Sequence, residues 1–172
     1  MTLTMRRDPI LDRRSVRRYT AQDVEEKDVR RILEAAMAAP SAGNERPWHF
    51  VVIHDRRLLD GIMEVHPYAQ MLRQSPVAIL VCGDRTLEKY PGFWVQDCSA
   101  AVQNMLIMAV QLDLGAVWLG LYPIEERVQG LRRVLGLPEH IIPFALVPFG
   151  HPDEERRQLD RYEEKRVHQD GW

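Results

Sequence analysis

Four guanidinium groups and a hydroxyl fall within six residues near the start of the chain, in Arg13-Arg14-Ser15-Val16-Arg17-Arg18. Arginine presents planar, forked donors that grip phosphate oxygens in pairs, so a compact dianion suits such a run. If the segment opens a helical turn, Arg13 and Arg17 share one face. A solvated basic run or a weak nucleic-acid patch is an equal reading on composition alone. Against nucleic acid stand Asp8, Asp12 and Asp23 close by, and a total of 23 Lys and Arg against 25 Asp and Glu, for a formal net charge of -2. A second set is the loop Pro40-Ser41-Ala42-Gly43-Asn44-Glu45-Arg46-Pro47. Its hydroxyl, backbone amides and Asn44 amide can meet the donor and acceptor edge of a flat heterocycle, or the segment is an ordinary connection. A third is Trp118-Leu119-Gly120, where glycine would let the backbone approach a ligand closely. A fourth is Asp160-Arg161-Tyr162 in the tail, read either as a phosphate contact or as a surface ion pair.

Other chemistries lack their residues. The six histidines are scattered with no HExxH and no i, i+4 pair, so metal catalysis has no support. No GxSxG, GxxxxGK[ST] or GxGxxG pattern occurs, which weakens hydrolase, P-loop and dinucleotide-fold readings. Cys82 and Cys98 lie in apolar surroundings and form neither a disulfide framework nor a CxxC pair; they read as core thiols in a reducing, cytoplasmic protein. The first ten residues hold no apolar signal core, and no stretch of 18 uninterrupted apolar residues occurs, so neither secretion nor membrane spanning is expected. With 172 residues, 45% of them hydrophobic, the chain should fold as one domain over residues 1–172.

The elements that must position these sets follow from periodicity. Val29, Ile32, Leu33, Ala36 and Met37 mark one face of a helix from about Glu25 to Ala39, stopped by Pro40. A strand is expected at Phe50–Ile53, short helices near Arg57–Met63 and Ala69–Gln74, and a strand buried on both faces at Val77–Cys82. From about Phe93 to Leu112 there is no Pro or Gly, and apolar residues occur all around the helix. A chain of this size has little interior to cover such a helix, so a second subunit is expected against it. A short strand at Ala116–Trp118, a helix at Glu125–Leu135 closed by Gly136 and a strand at Phe144–Phe149 complete an α+β class, one sheet flanked by helices. The polar segment 151–172 keeps Leu159, Tyr162, Val167 and Trp172 and reads as an arm draped over the body or the partner, or as a frayed terminus. Asp97 and Asn104 share a face of the central helix and read as packing groups; His66-Pro67-Tyr68 reads as a capped turn with its Tyr in the core, or as part of a pocket.

Taken in order, Arg13-Arg14-Ser15-Val16-Arg17 and Ala39 through Trp48 resemble the opening of the nitroreductase family of FMN-dependent oxidoreductases. Trp94 through Leu106 is similar to that family's central helix, Leu114 through Gly120 to the strand after it, and Phe149 through Glu155 and Asp160 through Trp172 to its closing segment. The likeness runs over nearly the whole chain from about Ile10, and its length suggests the short branch of the family.

The resemblance implies an intertwined homodimer with two FMN sites at the subunit interface. By it, Arg13 and Ser15 would hold the phosphate with Arg161 from the tail, and Arg14 would support the ribityl or phosphate end. Arg17 would lie near the pyrimidine edge. Pro40, Ser41 and Asn44 would belong to the cofactor-binding loop, and Leu119 and Gly120 would present backbone groups to the ring. Hydride would pass from NADH or NADPH to flavin N5 and then, by ping-pong turnover, to a nitroaromatic, quinone or similar small-molecule acceptor, with no catalytic side chain required because the flavin carries the chemistry. Alternatives are a specialised flavin enzyme, such as a reductive dehalogenase or flavin-processing enzyme whose lid would lie between Asp84 and Gly92, and a protein that only stores FMN. Two departures from the family are Arg46, where Gln is common, and His151, where Tyr is common.

Overall fold

A computed structural model of the chain describes residues 8–154 and 160–172. The apolar run Val77–Cys82 has no polar residue to offer a solvent face. It forms most of β2, Val77–Asp84, buried at every position. The other strands are β1 (Trp48–Ile53), β3 (Gly115–Ala116), β4 (Leu119–Gly120) and β5 (Ile141–Gly150). The sheet runs β1-β2-β5-β3, with β4 also on β5, and every pairing is antiparallel. Because successive side chains point to opposite faces, Val77, Ile79 and Val81 pack toward α2 (Glu26–Met37) and α4 (Trp94–Gln111). Ala78, Leu80 and Cys82 pack toward α3 (Arg56–Val65) and α5 (Glu125–Leu135). The result is a sheet with helices on both faces, the α+β class expected.

Several boundaries differ from the sequence expectation for physical reasons. The strand expected at Ala116–Trp118 is two short pieces instead. Gly115 and Ala116 face Gly150 and Phe149, while Leu119 and Gly120 face Leu146 and Ala145, so the register is continuous and only the ladder is broken. The same register puts Pro148 opposite Val117, and proline has no N–H to give the ladder. A second proline, Pro143, lies beside a bulge where the β2–β5 register shifts, leaving Phe144 as an extra residue. Phe144 and Ala145 therefore both join the α4 side of the core. β5 begins at Ile141, three residues before the expected start.

Helix α1 (Pro9–Asp12), which the periodicity did not signal, is set by Asp8: its Oδ1 accepts from the N–H groups of Ile10 and Leu11 at 3.0 and 3.2 Å, with proline in the first turn. The chain leaves this helix extended at Arg13, so Arg13 and Arg17 do not share a helical face. The turn at His66–Tyr68 is the reverse of the core-Tyr reading. Tyr68 is 68% exposed, and His66 is the buried member at 1%.

Helix α4 sits against the sheet closely enough that a Cβ on Gly83 would run into the Trp94 ring. Asn104 Nδ2 donates to the Ala35 carbonyl at 3.0 Å and ties α4 to α2, a packing role as expected. The only charged residue in α4, Asp97, is buried. Its outer stripe (Val95, Ala100, Gln103, Ile107, Met108 and Gln111) is half-buried or exposed and carries no charge. Both cysteines are free and buried; burial pushes the Cys82 thiol up to about 12, which keeps it protonated and inert.

Candidate functional site

The arginine run divides in two. Arg13 and Arg14 line a cleft of about 550 Å³ with Ile10 and Leu11 from α1 and with Asp160, Arg161 and Tyr162 from the tail. Arg14 is held by its own turn, Nη1 donating to the carbonyls of Leu11 and Arg13 at 2.7 and 2.6 Å. Asp160 Oδ1 accepts from the Tyr162 N–H at 3.1 Å, which fixes the start of the tail segment. Burial, followed by the positive charges of Arg161 and Arg14, holds the Arg13 guanidinium below its ordinary value. Three cations thus converge on one opening, the field an anion would relieve. Residues 155–159, which include Leu159 of the expected arm, lie outside the described residues.

Arg17 and Arg18 go elsewhere. The Arg17 N–H donates to Glu154 Oε1 at 2.7 Å, Arg18 Nη2 donates to the Asp153 carbonyl at 3.1 Å, and Arg18 Nε lies 4.0 Å from Glu154 Oε2. Ser15 bridges to Ala116 in parallel, and the Val16 N–H donates to the Ala116 carbonyl at 2.9 Å. The Ser15 side chain is exposed, as is that of Arg17.

The Pro40–Pro47 loop is a knot of turns with Gly43, Asn44 and Arg46 at positive φ. Asparagine tolerates that conformation better than most residues. Ser41 Oγ accepts from the Arg46 N–H at 3.0 Å, so this hydroxyl shapes the loop while its proton stays available to donate. Pro40 and Asn44 are exposed and Ser41 is half-buried. The loop is fastened from beneath by two acids. Asp97 Oδ1 accepts from the Ala42 N–H at 3.0 Å, and Glu45 Oε2 accepts from the N–H groups of Lys89 and Tyr90 at 2.6 and 3.2 Å. Glu45 escaped sequence reasoning because a glutamate in a polar loop carries no burial signal.

On β4, Leu119 is buried and Gly120 half-buried. The Gly120 carbonyl turns inward, accepting from Arg127 Nη1 at 2.9 Å and lying 3.2 Å from His66 Nε2. Because His66 Nδ1 accepts from the Tyr68 N–H at 3.2 Å, the ring proton belongs on Nε2 and is donated to Gly120. Burial holds His66 below its ordinary value, in keeping with a neutral ring. The Arg127 guanidinium also lies 5.4 Å from the centre of the Tyr68 ring. On its side-chain face Gly120 is open, with no heavy atom within 4 Å of a Cβ built there.

Within one chain the cationic cleft is thus lined by neither the Ser41–Asn44 loop nor Leu119–Gly120. Among the described residues no group of three or more His, Cys, Asp or Glu could hold a metal ion. Nor is any described helix long and apolar enough to cross a membrane.

Comparison with known proteins places this architecture. The family model described as "Nitroreductase family" matches residues 10–67 and 63–151. A protein of Methanothermobacter thermautotrophicus named "Putative NADH dehydrogenase/NAD(P)H nitroreductase" is 52% identical over 165 residues, covering 96% of this chain and 86% of the relative. Among solved structures, a "Putative NADH Oxidase" from Clostridium acetobutylicum superposes with a TM-score of 0.93 at 42% identity, covering 96% of this chain and 100% of the other. A crystal structure from Desulfovibrio desulfuricans, titled a "putative nitroreductase in complex with fmn", gives a TM-score of 0.82 at 34% identity over 97% and 99% of the two chains. Sheet, flanking helices and sequence all agree with an oxidoreductase class. The chain belongs to the nitroreductase family.

Proposed function

We propose that the protein is an FMN-dependent NAD(P)H oxidoreductase acting as a homodimer. The observation that carries this reading is the convergence of Arg13, Arg14 and Arg161 on one cleft, a field of positive charge that the phosphate of FMN would relieve. The donor set fits the group: forked guanidiniums for the phosphate, the exposed Ile10 and Leu11 for apolar surface, and the open face of Gly120 for a close approach of backbone to a flat ring. A complex of one relative with FMN and the nicotinamide in another relative's name support the same assignment.

In this reading Arg13, Arg161 and the exposed hydroxyl of Ser15 bind the phosphate, with Arg14 holding the turn that presents Arg13. Arg17 serves the pyrimidine edge, the Pro40 loop offers Ser41 and Asn44, and Leu119 and Gly120 offer backbone groups. Because one chain keeps these sets apart, the loop reaches the cleft from the partner subunit. The uncharged outer stripe of α4 is the surface that such a partner would cover. Bound FMN would supply the redox chemistry, accepting hydride from NADH or NADPH and passing it, by alternate binding at one open face, to a nitroaromatic, quinone or similar conjugated acceptor. The protein's own part is to bind, orient and supply cationic groups.

The test is direct. Purified protein reconstituted with FMN should be yellow, bleach with NADH or NADPH under anaerobic conditions, and regain its colour when an acceptor is added. Failure to take up FMN would overturn the reading. Uptake without bleaching by either nucleotide would favour storage of the cofactor.

A further inference from the structure

Two carboxyl groups stand outside the cationic cleft, beneath the Ser41–Arg46 loop. Asp97 lies in the first turn of α4 and Glu45 at the end of the loop that follows α2, and both are buried. Each uses one oxygen to fasten backbone: Asp97 Oδ1 takes the Ala42 N–H, and Glu45 Oε2 takes those of Lys89 and Tyr90. Their other oxygens, Asp97 Oδ2 and Glu45 Oε1, are buried with no other donor. The two acids meet across one residue: Asp97 holds the Ala42 N–H, the Ala42 carbonyl takes the Glu45 N–H at 3.0 Å, and each carboxyl lies close enough to shift the other's titration. Two ionised carboxylates have no hydrogen to place between them and repel in a dry setting. With one proton the same contact becomes an O–H···O⁻ bond, among the stronger hydrogen bonds available to side chains.

We infer that Asp97 and Glu45 share one proton, and that this proton latches the Ser41–Arg46 loop to α4 and to the 88–93 segment, making both acids positioning residues for the loop's cofactor-facing groups. The inference rests on the FMN reading only for what the loop touches; the latch itself is a property of the chain.

The proton belongs on Asp97. Burial, then the neighbouring Glu45 and Glu88, push the Asp97 carboxyl above its ordinary value. For Glu45, burial pushes up too, but the N–H groups of Lys89 and Tyr90, the Asp97 carboxyl and the Lys89 ammonium outweigh it and hold the group below its ordinary value. The other groups facing the pair are consistent with this. Lys89 Nζ donates to the Gly43 carbonyl at 3.1 Å, Glu88 takes the Gly92 N–H at 2.7 Å and Arg85 Nε at 3.3 Å, and Cys98 has its thiol pushed up by burial, then by Cys82 and Asp97.

Both acids tie the hold on the loop to pH. Asp97 is raised, so its contribution is lost as pH rises through its folded value and two anions face each other. Glu45 is lowered, so its contribution is lost as pH falls through its folded value and its two N–H donors lose a charged acceptor. The loop is held most firmly in the window between, and the alkaline side is where the cofactor-facing groups are released.

The experiment follows amide hydrogen exchange of Ala42, Lys89 and Tyr90 in the full chain from acid to alkaline pH, using the amides of β2 as internal standards. Wild type should lose about tenfold of protection as pH rises through the folded value of Asp97, the worth of about one net hydrogen bond, and FMN dissociation should accelerate with it. Asp97→Asn keeps an acceptor for Ala42 and supplies an amide donor to Glu45 with no proton to lose, so its alkaline loss should vanish; Glu45→Gln should flatten the acid side. The same alkaline loss in Asp97→Asn, or none in wild type, would overturn the latch. If neither variant folds, the infrared band of a protonated carboxylic acid in wild type must disappear in step with the loop's protection, and its absence sinks the inference. Loop behaviour as expected in a chain that takes up no FMN at any pH supports the latch and removes only the cofactor reading.

Discussion

At the Arg13–Arg161 cleft, three cations are brought together and face an opening, whereas at the Ser41–Arg46 loop two acids are brought together and sealed from water. The donors of Asp97 and Glu45 come from the chain itself, the N–H groups of Ala42, Lys89 and Tyr90. Positive charge crowded at an opening favours an anionic ligand; negative charge met by backbone donors is a means of holding shape. Substitutions at the first region should therefore change binding with little change in folding, and substitutions at the second should change both.

The largest break in that contrast is expected from Arg13→Ala. Losing a charge-assisted pair to phosphate costs about 1.5–3 kcal/mol, or roughly tenfold to a hundredfold in FMN affinity. Fluorescence titration should show this while the urea midpoint stays at the wild-type value; unchanged affinity would remove Arg13 from the site. Next comes Asp97→Ala, which leaves the Ala42 N–H without its acceptor. Stability should fall by about 1–3 kcal/mol in urea unfolding, with FMN affinity falling as well. A drop in affinity alone would mean the two regions are not different in kind.

Deleting Arg161–Trp172 removes one of the three cations. It should weaken FMN binding by about tenfold, at the low end of a charged contact, and leave the urea midpoint unmoved. Full retention of cofactor in the truncated protein would limit the cleft to its N-terminal arginines.

The smallest effect is expected at His66. Its folded value is lowered from 6.5 by burial, so the stability it contributes is complete above 6.5 and declines as pH falls below 6.5 toward the folded value, where Nδ1 gains a proton and loses the Tyr68 N–H. His66→Gln should shrink this acid-side loss by about 1 kcal/mol, read from urea midpoints across pH. An identical acid profile in the variant would show that the Gly120 clamp draws on Arg127 alone.

The parts of the fold that could be read from sequence are those set by local pattern. Val77–Cys82 had no choice but a doubly covered strand, α2 followed its apolar stripe, and α5 ended at Gly136, which adopts the left-handed conformation at φ 63°. What escaped was decided by partners distant in sequence. Val117 and Trp118 have strand-like sequence, yet the proline opposite Val117 breaks their ladder. His66 and Tyr68 exchanged places because the histidine has both a carbonyl and an N–H to bind, whereas Tyr68 lies outside under Arg127. In the candidate site, Arg13 and Arg14 were legible as a cluster of like chemistry, whereas Arg161 joined them only through the family resemblance, because it comes from the other end of the chain. The separation of Arg17 from the cluster was not legible, since that depends on Glu154 meeting the chain from the far end of the sequence.

β5 joins β2 on one side to β3 and β4 on the other, and it is the last of the described strands. A ribosome therefore delivers every other layer of this sheet before delivering the strand that unites them. Until residues near Gly150 have left the exit tunnel, the apolar β2 has a bare edge on that side, the kind of edge that invites pairing with another chain.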